Sequence, residues 1–304
     1  MIYLVYGQHY RDKRIPECYF LLQHTLLHAG VSAALSSDMV MGAKNIMVEG
    51  FTDENIETLT PLLQDTNTEL YLIATEFLTG DSFNQFERDE NNKSHYEIPE
   101  YWQNRYDNFC RVIEFCSGIM HLSEQQVGVY QAQFPDIPVA YLPHSYIPSM
   151  AMPFPCPPEK DIDVVFTGVL TRYRLEILEQ LEAAGLVVEK CTTTTPAYIR
   201  EDLTRRAKVA LNLKQKASWL HPSNSRMHFH LLNQSCMVTE ETPIKCDLSS
   251  LIIETPLQDL LTTVQELIQS ERYITIAQEQ HTAFKQQCHV DQNAGAVLAF
   301  FNFA

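Results

Sequence analysis

The chain has 304 residues and a net charge of −16 at pH 7, with a pI of about 5.0. A surface that acidic repels nucleic-acid backbone and anionic lipid unless a basic pocket offsets it locally, so no nucleic-acid partner is expected and any phosphate-bearing ligand should be small and held in a pocket. Apolar residues make up 45% and charged residues 20%, which excludes a disordered chain, and the length suits two domains of ordinary size.

No stretch approaches the roughly 18 apolar residues needed to span a bilayer, so no integral membrane segment is expected. The opening run Met1-Ile2-Tyr3-Leu4-Val5-Tyr6 is too short for a signal-peptide core and lacks its basic flank. It reads as a first strand. The eight cysteines form no CxxC pair and sit in apolar stretches, as free buried thiols do in a reducing cytoplasm. A soluble cytoplasmic protein is the expectation.

Strand-like and helix-like runs alternate, the pattern of a parallel sheet covered by helices. In the first half, strands are predicted at 2–6, 45–49, 70–75, 118–122 and 139–142. Helices are predicted at 19–28, 53–64, 101–116 and 123–133, the second opening on Asp53 as a cap. The polar stretch 79–95 reads as a loop. Residues 148–158, Pro-Ser-Met-Ala-Met-Pro-Phe-Pro-Cys-Pro-Pro, cannot be helix interior. They mark a linker at 148–159 between a domain at 1–147 and one at 160–304. Alternation then restarts, with strands at 163–167, 186–190, 209–213, 236–239 and 251–254. Helices fall at 172–184, 196–207, 223–232, 257–270 and 274–287, followed by an apolar tail at 290–304.

Two loops of the second half carry anion-binding chemistry. Asp163-Val164-Val165-Phe166-Thr167-Gly168 is a buried strand that delivers a glycine into a tight turn. Thr171, Arg172 and Arg174 then open a helix. A helix start presents backbone amides and a positive dipole end, and arginine pairs with phosphate oxygens bidentately. The second loop follows the strand carrying Asn212 and Lys214. It runs through His221 and Pro222 into a helix beginning Ser223-Asn224-Ser225-Arg226, whose side chains either cap the helix or grip a phosphate. Glu240 ends the next strand, a position suited to ribose hydroxyls, because ligands lie outside that edge of a sheet. His228 and His230 are two apart on one helix and point to different faces, so no metal site is expected.

This run of segments resembles the second domain of GT-B glycosyltransferases, especially the CgeB-like, spore-protein-type branch. That branch carries a strand like "hDVVFvG", an "AlNl" strand and a "(S/N)xRxFExLAcGxxllTe" stretch. The match covers about residues 160–265 and, by order of elements, the first half. Phe229 stands where the family has a glutamate, and Gln234 where it has a glycine; His228, His230 or Glu240 could replace the glutamate. The resemblance implies an α/β fold of two Rossmann-like domains facing a central cleft. It implies a nucleotide-sugar donor in the second domain, held by Gly168, Thr171, Arg172, Arg174, Asn212, Lys214, His221, Ser223, Asn224, Arg226 and Glu240. The sugar would pass to an acceptor hydroxyl on a glycan, lipid or protein, with neither metal nor cofactor.

In the first half, Gly7-Gln8-His9-Tyr10 follows the first strand, and no GxGxxG is present. A base for the acceptor hydroxyl could be His9, whose imidazole titrates near working pH, or Glu76 at the end of the third strand, with Asp81 behind them. His144-Ser145-Tyr146 should lie at the cleft. Two other readings stay open: a GT-B-like scaffold without catalysis, and another two-domain nucleotide-sugar enzyme such as an epimerase.

Overall fold

The computed structural model describes residues 1–7, 17–65, 67–84, 97–152 and 159–302. Contacts divide the chain into two compact units, Met1–His144 with Val290–Ala304, and Ser145–His289. Among the described residues no helix is long and apolar enough to cross a membrane.

The first unit opens with β1 (Ile2–Val5), α1 (Glu17–His28), β2 (Ala33–Ser36), β3 (Lys44–Val48), α2 (Asp53–Leu63) and β4 (Glu69–Ala74). A small hairpin of β5 (Leu78–Thr79) and β6 (Ser82–Phe83) follows, then α3 (Pro99–Ile113), β7 (Cys116–His121), α4 (Glu124–Gln133) and β8 (Val139–Tyr141). The six long-sheet strands run parallel in the order β2-β1-β3-β4-β7-β8. Both faces are covered, so the strands are nearly continuously apolar. One face packs Trp102, Phe109 and Tyr130 into the principal core. The cap of α2 is Thr52, whose hydroxyl accepts from the Asn55 amide while the Asn55 side chain accepts from the Thr52 amide. The expected cap, Asp53, is instead the first helical residue.

The strand order reverses between β1 and β3, where a doubly wound sheet opens a ligand crevice at its carboxyl edge. Here Tyr19 of α1 closes that point. Its hydroxyl donates to the Val5 carbonyl at 2.6 Å and accepts the Val48 amide at 3.0 Å.

The second unit contains β9 (Ile162–Thr167), α5 (Arg172–Ala183), β10 (Val188–Cys191), α6 (Ala197–Arg206), β11 (Ala207–Asn212), α7 (Asn224–Leu232) and β12 (Cys236–Glu240). It continues with β13 (Ile253–Thr255), α8 (Leu260–Gln269) and α9 (Arg272–Gln287). Its five parallel strands follow the order β10-β9-β11-β12-β13. Alternate strand residues feed two cores. Val164, Phe166, Leu211 and Val238 pack beneath α5 and α8, while Val165, Ala210 and Met237 meet α7 and Phe284 of α9. The reversal point lies between β9 and β11.

The last helix, α10 (Val290–Phe300), returns to the first unit, whereas the sequence grouped residues 290–304 with the second half. Phe300 and Phe301 meet the Tyr71 ring edge-on at centroid distances of 5.7 and 4.9 Å. A Cβ on Gly118 would stand 2.6 Å from the tip of the Phe300 ring, so a larger residue there would have to displace that ring.

Candidate functional site

At the carboxyl edge of the second sheet, the reversal point is bridged by one guanidinium. Arg226, in the first turn of α7, donates through Nε to the Thr167 carbonyl at the end of β9. Its Nη1 donates to Asn212 Oδ1 at 2.6 Å and to the Leu213 carbonyl at 3.4 Å, at the end of β11. The residue is only 9% exposed. Its guanidinium lies 4.7 Å from the Phe166 ring centroid, and burial pushes it down to about 10. Among the described residues Nη2 has no acceptor and no carboxylate pairs with Arg226. A buried charge without a counter-ion costs several kcal/mol (order of magnitude). The fold therefore holds a buried cation without a carboxylate partner among the described residues at the carboxyl edge of the sheet.

Gly168 makes this possible. It has φ +138°, and a Cβ there would lie 2.4 Å from Arg226 Nη2, so the guanidinium occupies the space a side chain would need. Thr171 then caps α5, accepting from the Arg174 amide and donating to the Gln215 carbonyl at 2.7 Å. The positive end of the α5 dipole is thereby fixed beside the Gly168 loop.

Other expected contacts are placed differently. Arg174 is buried and spends its guanidinium on backbone. It donates to Leu213, Lys214 and Val169 carbonyls at 2.8 to 3.2 Å. It clamps the two loops together. Burial, and next the charge of Arg226, hold it well below the usual arginine range. Arg172, two residues earlier, lies on the outer face and pairs with Glu176 at 2.9 Å.

Glu240 does not face the open edge. It is 1% exposed; Oε1 accepts the Tyr173 hydroxyl and pairs with Lys214 Nζ at 3.0 Å, and Oε2 accepts the Lys214 amide at 3.1 Å. Its oxygens are committed within the protein, and Lys214 is neutralised by the same pair. Glu240 is thus paired with Lys214, and neither Arg174 nor Arg226 has a carboxylate partner among the described residues. Ser223 and Asn224 open α7, with no side-chain cap from Ser223. His221 lies in the preceding loop, its ring 6.2 Å from that of Trp219, and burial pushes it down to about 4. Tyr173, whose phenol burial and Glu240 push up, escaped the sequence reading. Its position between two arginines was the available signal.

His228 reaches back to the Ser145 carbonyl at 2.9 Å, while His230 lies between the Thr167 and Ser235 hydroxyls at 3.2 and 3.3 Å. Phe229 lies under the Arg200 guanidinium at 4.5 Å. Burial first, then Arg226 and Arg200, hold His230 down at about 3, against an ordinary 6.5. The unfolded chain binds that proton more readily, so the contribution of His230 is complete above about pH 6.5 and is lost as pH falls toward about 3. The melting temperature should fall between pH 6.5 and 4, and less steeply in a His230→Gln variant. Equal slopes in differential scanning fluorimetry would remove His230 as the cause.

In the first unit, His9 lies outside the described residues. Glu76, just past β4, pairs with Arg105 Nη1 at 2.8 Å and accepts from Asn84 Nδ2 at 2.5 Å. Arg105 also approaches buried Glu49 at 3.4 Å. Asp81 sits at the hairpin turn, its carbonyl accepting from Gln103 at 3.0 Å.

No family model matches the chain, and no curated protein does. Solved structures do. The chain is similar to an alpha-glucosyltransferase in complex with UDP and a 13-mer DNA containing an HMU base, at 8% identity and a TM-score of 0.57 over 98% of each chain. It is similar to Anabaena HepE in complex with UDP-glucose, at 11% identity and 0.55, covering 99% of this chain and 98% of that one. It is also similar to S. aureus TarM in complex with fondaparinux, alpha-GlcNAc-glycerol and UDP, at 11% identity and 0.52 over 85% of this chain. The chain spans about half of TarM, 55% of its length. At such identities the likeness establishes the fold: two Rossmann-like α/β units, as in GT-B glycosyltransferases.

Proposed function

We propose that this protein is a cytoplasmic glycosyltransferase that binds a nucleotide-sugar donor in its second unit and passes the sugar to an acceptor hydroxyl without a metal. The observation that carries this reading is the buried Arg226 guanidinium at the β9–β11 reversal point, with Nη2 unpaired among the described residues. UDP and UDP-glucose in the named neighbours support the donor class, and the strand into Gly168 with the downstream Arg226 supports the CgeB-like branch.

In the reaction, the acceptor oxygen attacks the anomeric carbon and loses its proton to a base. The bond from that carbon to the phosphate oxygen breaks, and the nucleotide leaves with the electron pair. Charge developing on the leaving phosphate is met by Arg226 and the N-terminus of α5, fixed dipoles that need not reorganise. The base is one of His9 and Glu76, with His9 the first candidate.

A thermal-shift panel of nucleoside diphosphates, nucleoside monophosphates and nucleotide sugars tests the donor, because a ligand specific to the folded state raises its melting temperature. At least one nucleotide should do so, and with that donor saturating, a His9→Ala enzyme should lose about 10²–10⁴-fold in rate. A panel in which no nucleotide shifts the transition defeats the donor reading. A full-rate His9→Ala enzyme moves the base elsewhere.

A further inference from the structure

Glu76 is more elaborately held than an ion pair on a surface requires. Arg105 and Asn84 donate to its carboxylate. Its backbone carbonyl accepts from the Tyr130 hydroxyl at 2.8 Å and from His121 Nε2 at 3.0 Å. The Ser123 amide donates to His121 Nδ1 at 2.8 Å, so the neutral ring carries its proton on Nε2. The holders are themselves held. Arg105 packs on the rings of Trp102 and Tyr101 at 5.3 and 5.7 Å, with Glu49 behind it. Asn84, at φ +52°, exchanges two hydrogen bonds with the Phe77 backbone at 2.8 and 2.9 Å.

A carboxylate offers about two acceptor directions on each oxygen. Arg105 takes one on Oε1 and Asn84 one on Oε2, and Glu76 has no other partner among the described residues. One direction is left on each oxygen, and the side chain is 17% exposed at the carboxyl edge of the sheet, where ligands of such folds lie. Two acceptor positions side by side on one rigid carboxylate match two neighbouring hydroxyls, not a lone one. The charges around it favour a neutral ligand. Arg105 pairs with Glu76 at 2.8 Å, and burial, and next the charge of Glu76, push the neighbouring Glu49 up.

We propose that Glu76 is a specificity-determining residue that reads a vicinal diol of a saccharide, with Arg105, Asn84, His121 and Tyr130 as its positioning residues. This rests on the transferase reading only in naming that saccharide the acceptor. Preorganisation of this kind lets a site spend its contacts on the ligand rather than on ordering itself.

The test is a glycan array probed with the labelled parent and with Glu76→Gln, with uridine diphosphate binding measured by calorimetry on both. The parent should retain at least one saccharide bearing a vicinal diol. Glu76→Gln should bind it at least about tenfold more weakly, the scale of one lost hydrogen bond to a charged group, with nucleotide affinity unchanged. If Glu76→Gln does not fold, Glu76→Asp keeps the charge beside Arg105 but draws it back one methylene, and the same loss is expected. A parent that retains no saccharide overturns the proposal, as does a variant that is less stable yet binds as tightly. Saccharide binding lost on mutation, in a protein that binds no nucleotide, sinks the donor reading and leaves Glu76 as the hydroxyl reader.

Discussion

Arg226→Met is expected to weaken binding of the nucleotide that stabilises the parent in the thermal-shift panel by about a hundredfold or more. A charge-assisted hydrogen bond contributes about 1.5–3 kcal/mol, a guanidinium can make two to one phosphate, and 1.4 kcal/mol is a factor of ten. The melting temperature of the ligand-free protein should change little. Methionine forfeits the bonds to the Thr167 carbonyl and Asn212 Oδ1, but it also removes a buried charge with no carboxylate partner, and the two effects oppose each other. Calorimetric titration alongside thermal melting separates them. Affinity within about threefold of the parent would mean that phosphate binds elsewhere.

Gly168→Ala should act through the same guanidinium but from the side of stability. Backbone at φ +138° costs an L-residue about 1–3 kcal/mol, and overpacking adds a similar amount. The new methyl would lie 2.4 Å from Arg226 Nη2, so one of the two must move. We expect a loss of about 3 kcal/mol in denaturant unfolding together with weaker nucleotide binding. In Gly168→Ala/Arg226→Ala the clash is gone, and the glycine change adds only its backbone cost to that of losing Arg226. The double variant should therefore be more stable than the sum of the singles by about 1 kcal/mol or more. Strict additivity would show that the glycine is not there to admit the arginine.

The alternation of strands and helices was legible because both sheets are parallel and buried, which writes each strand as an apolar run. The strands missed were β2, Ala-Ala-Leu-Ser, an edge strand of small, half-exposed residues with little apolar signature, and the two-residue strands β5 and β6 at the start of the polar stretch read as a loop. The helix α10 was legible as apolar, but not its destination. That depends on the gap at Gly118 and on the Tyr71 ring, which only the assembled sheet brings together. Gly168 and Arg226 could each be singled out, because a glycine after a strand and an arginine in a helix's first turn each have few uses, but their contact could not be read from the sequence. Arg172 and Arg174 could not be told apart. Both lie in the first turn of α5, and the phase of that helix against β11 turns one outward and the other onto the loop carbonyls. Glu240 read as a ligand contact because its partners, Tyr173 and Lys214, come from two other elements.

The return of α10 to the first unit also orders the events of synthesis. The second unit is one continuous stretch, Ser145–His289, and all its strands have left the ribosome before the last helix appears. The first unit, though translated earlier, lacks the helix that covers Tyr71 and Gly118 until residue 300 emerges. The nascent chain therefore carries an open apolar face on its older half while its younger half closes. During that interval, chaperone capture or pairing with another nascent chain would fall on the face around Tyr71.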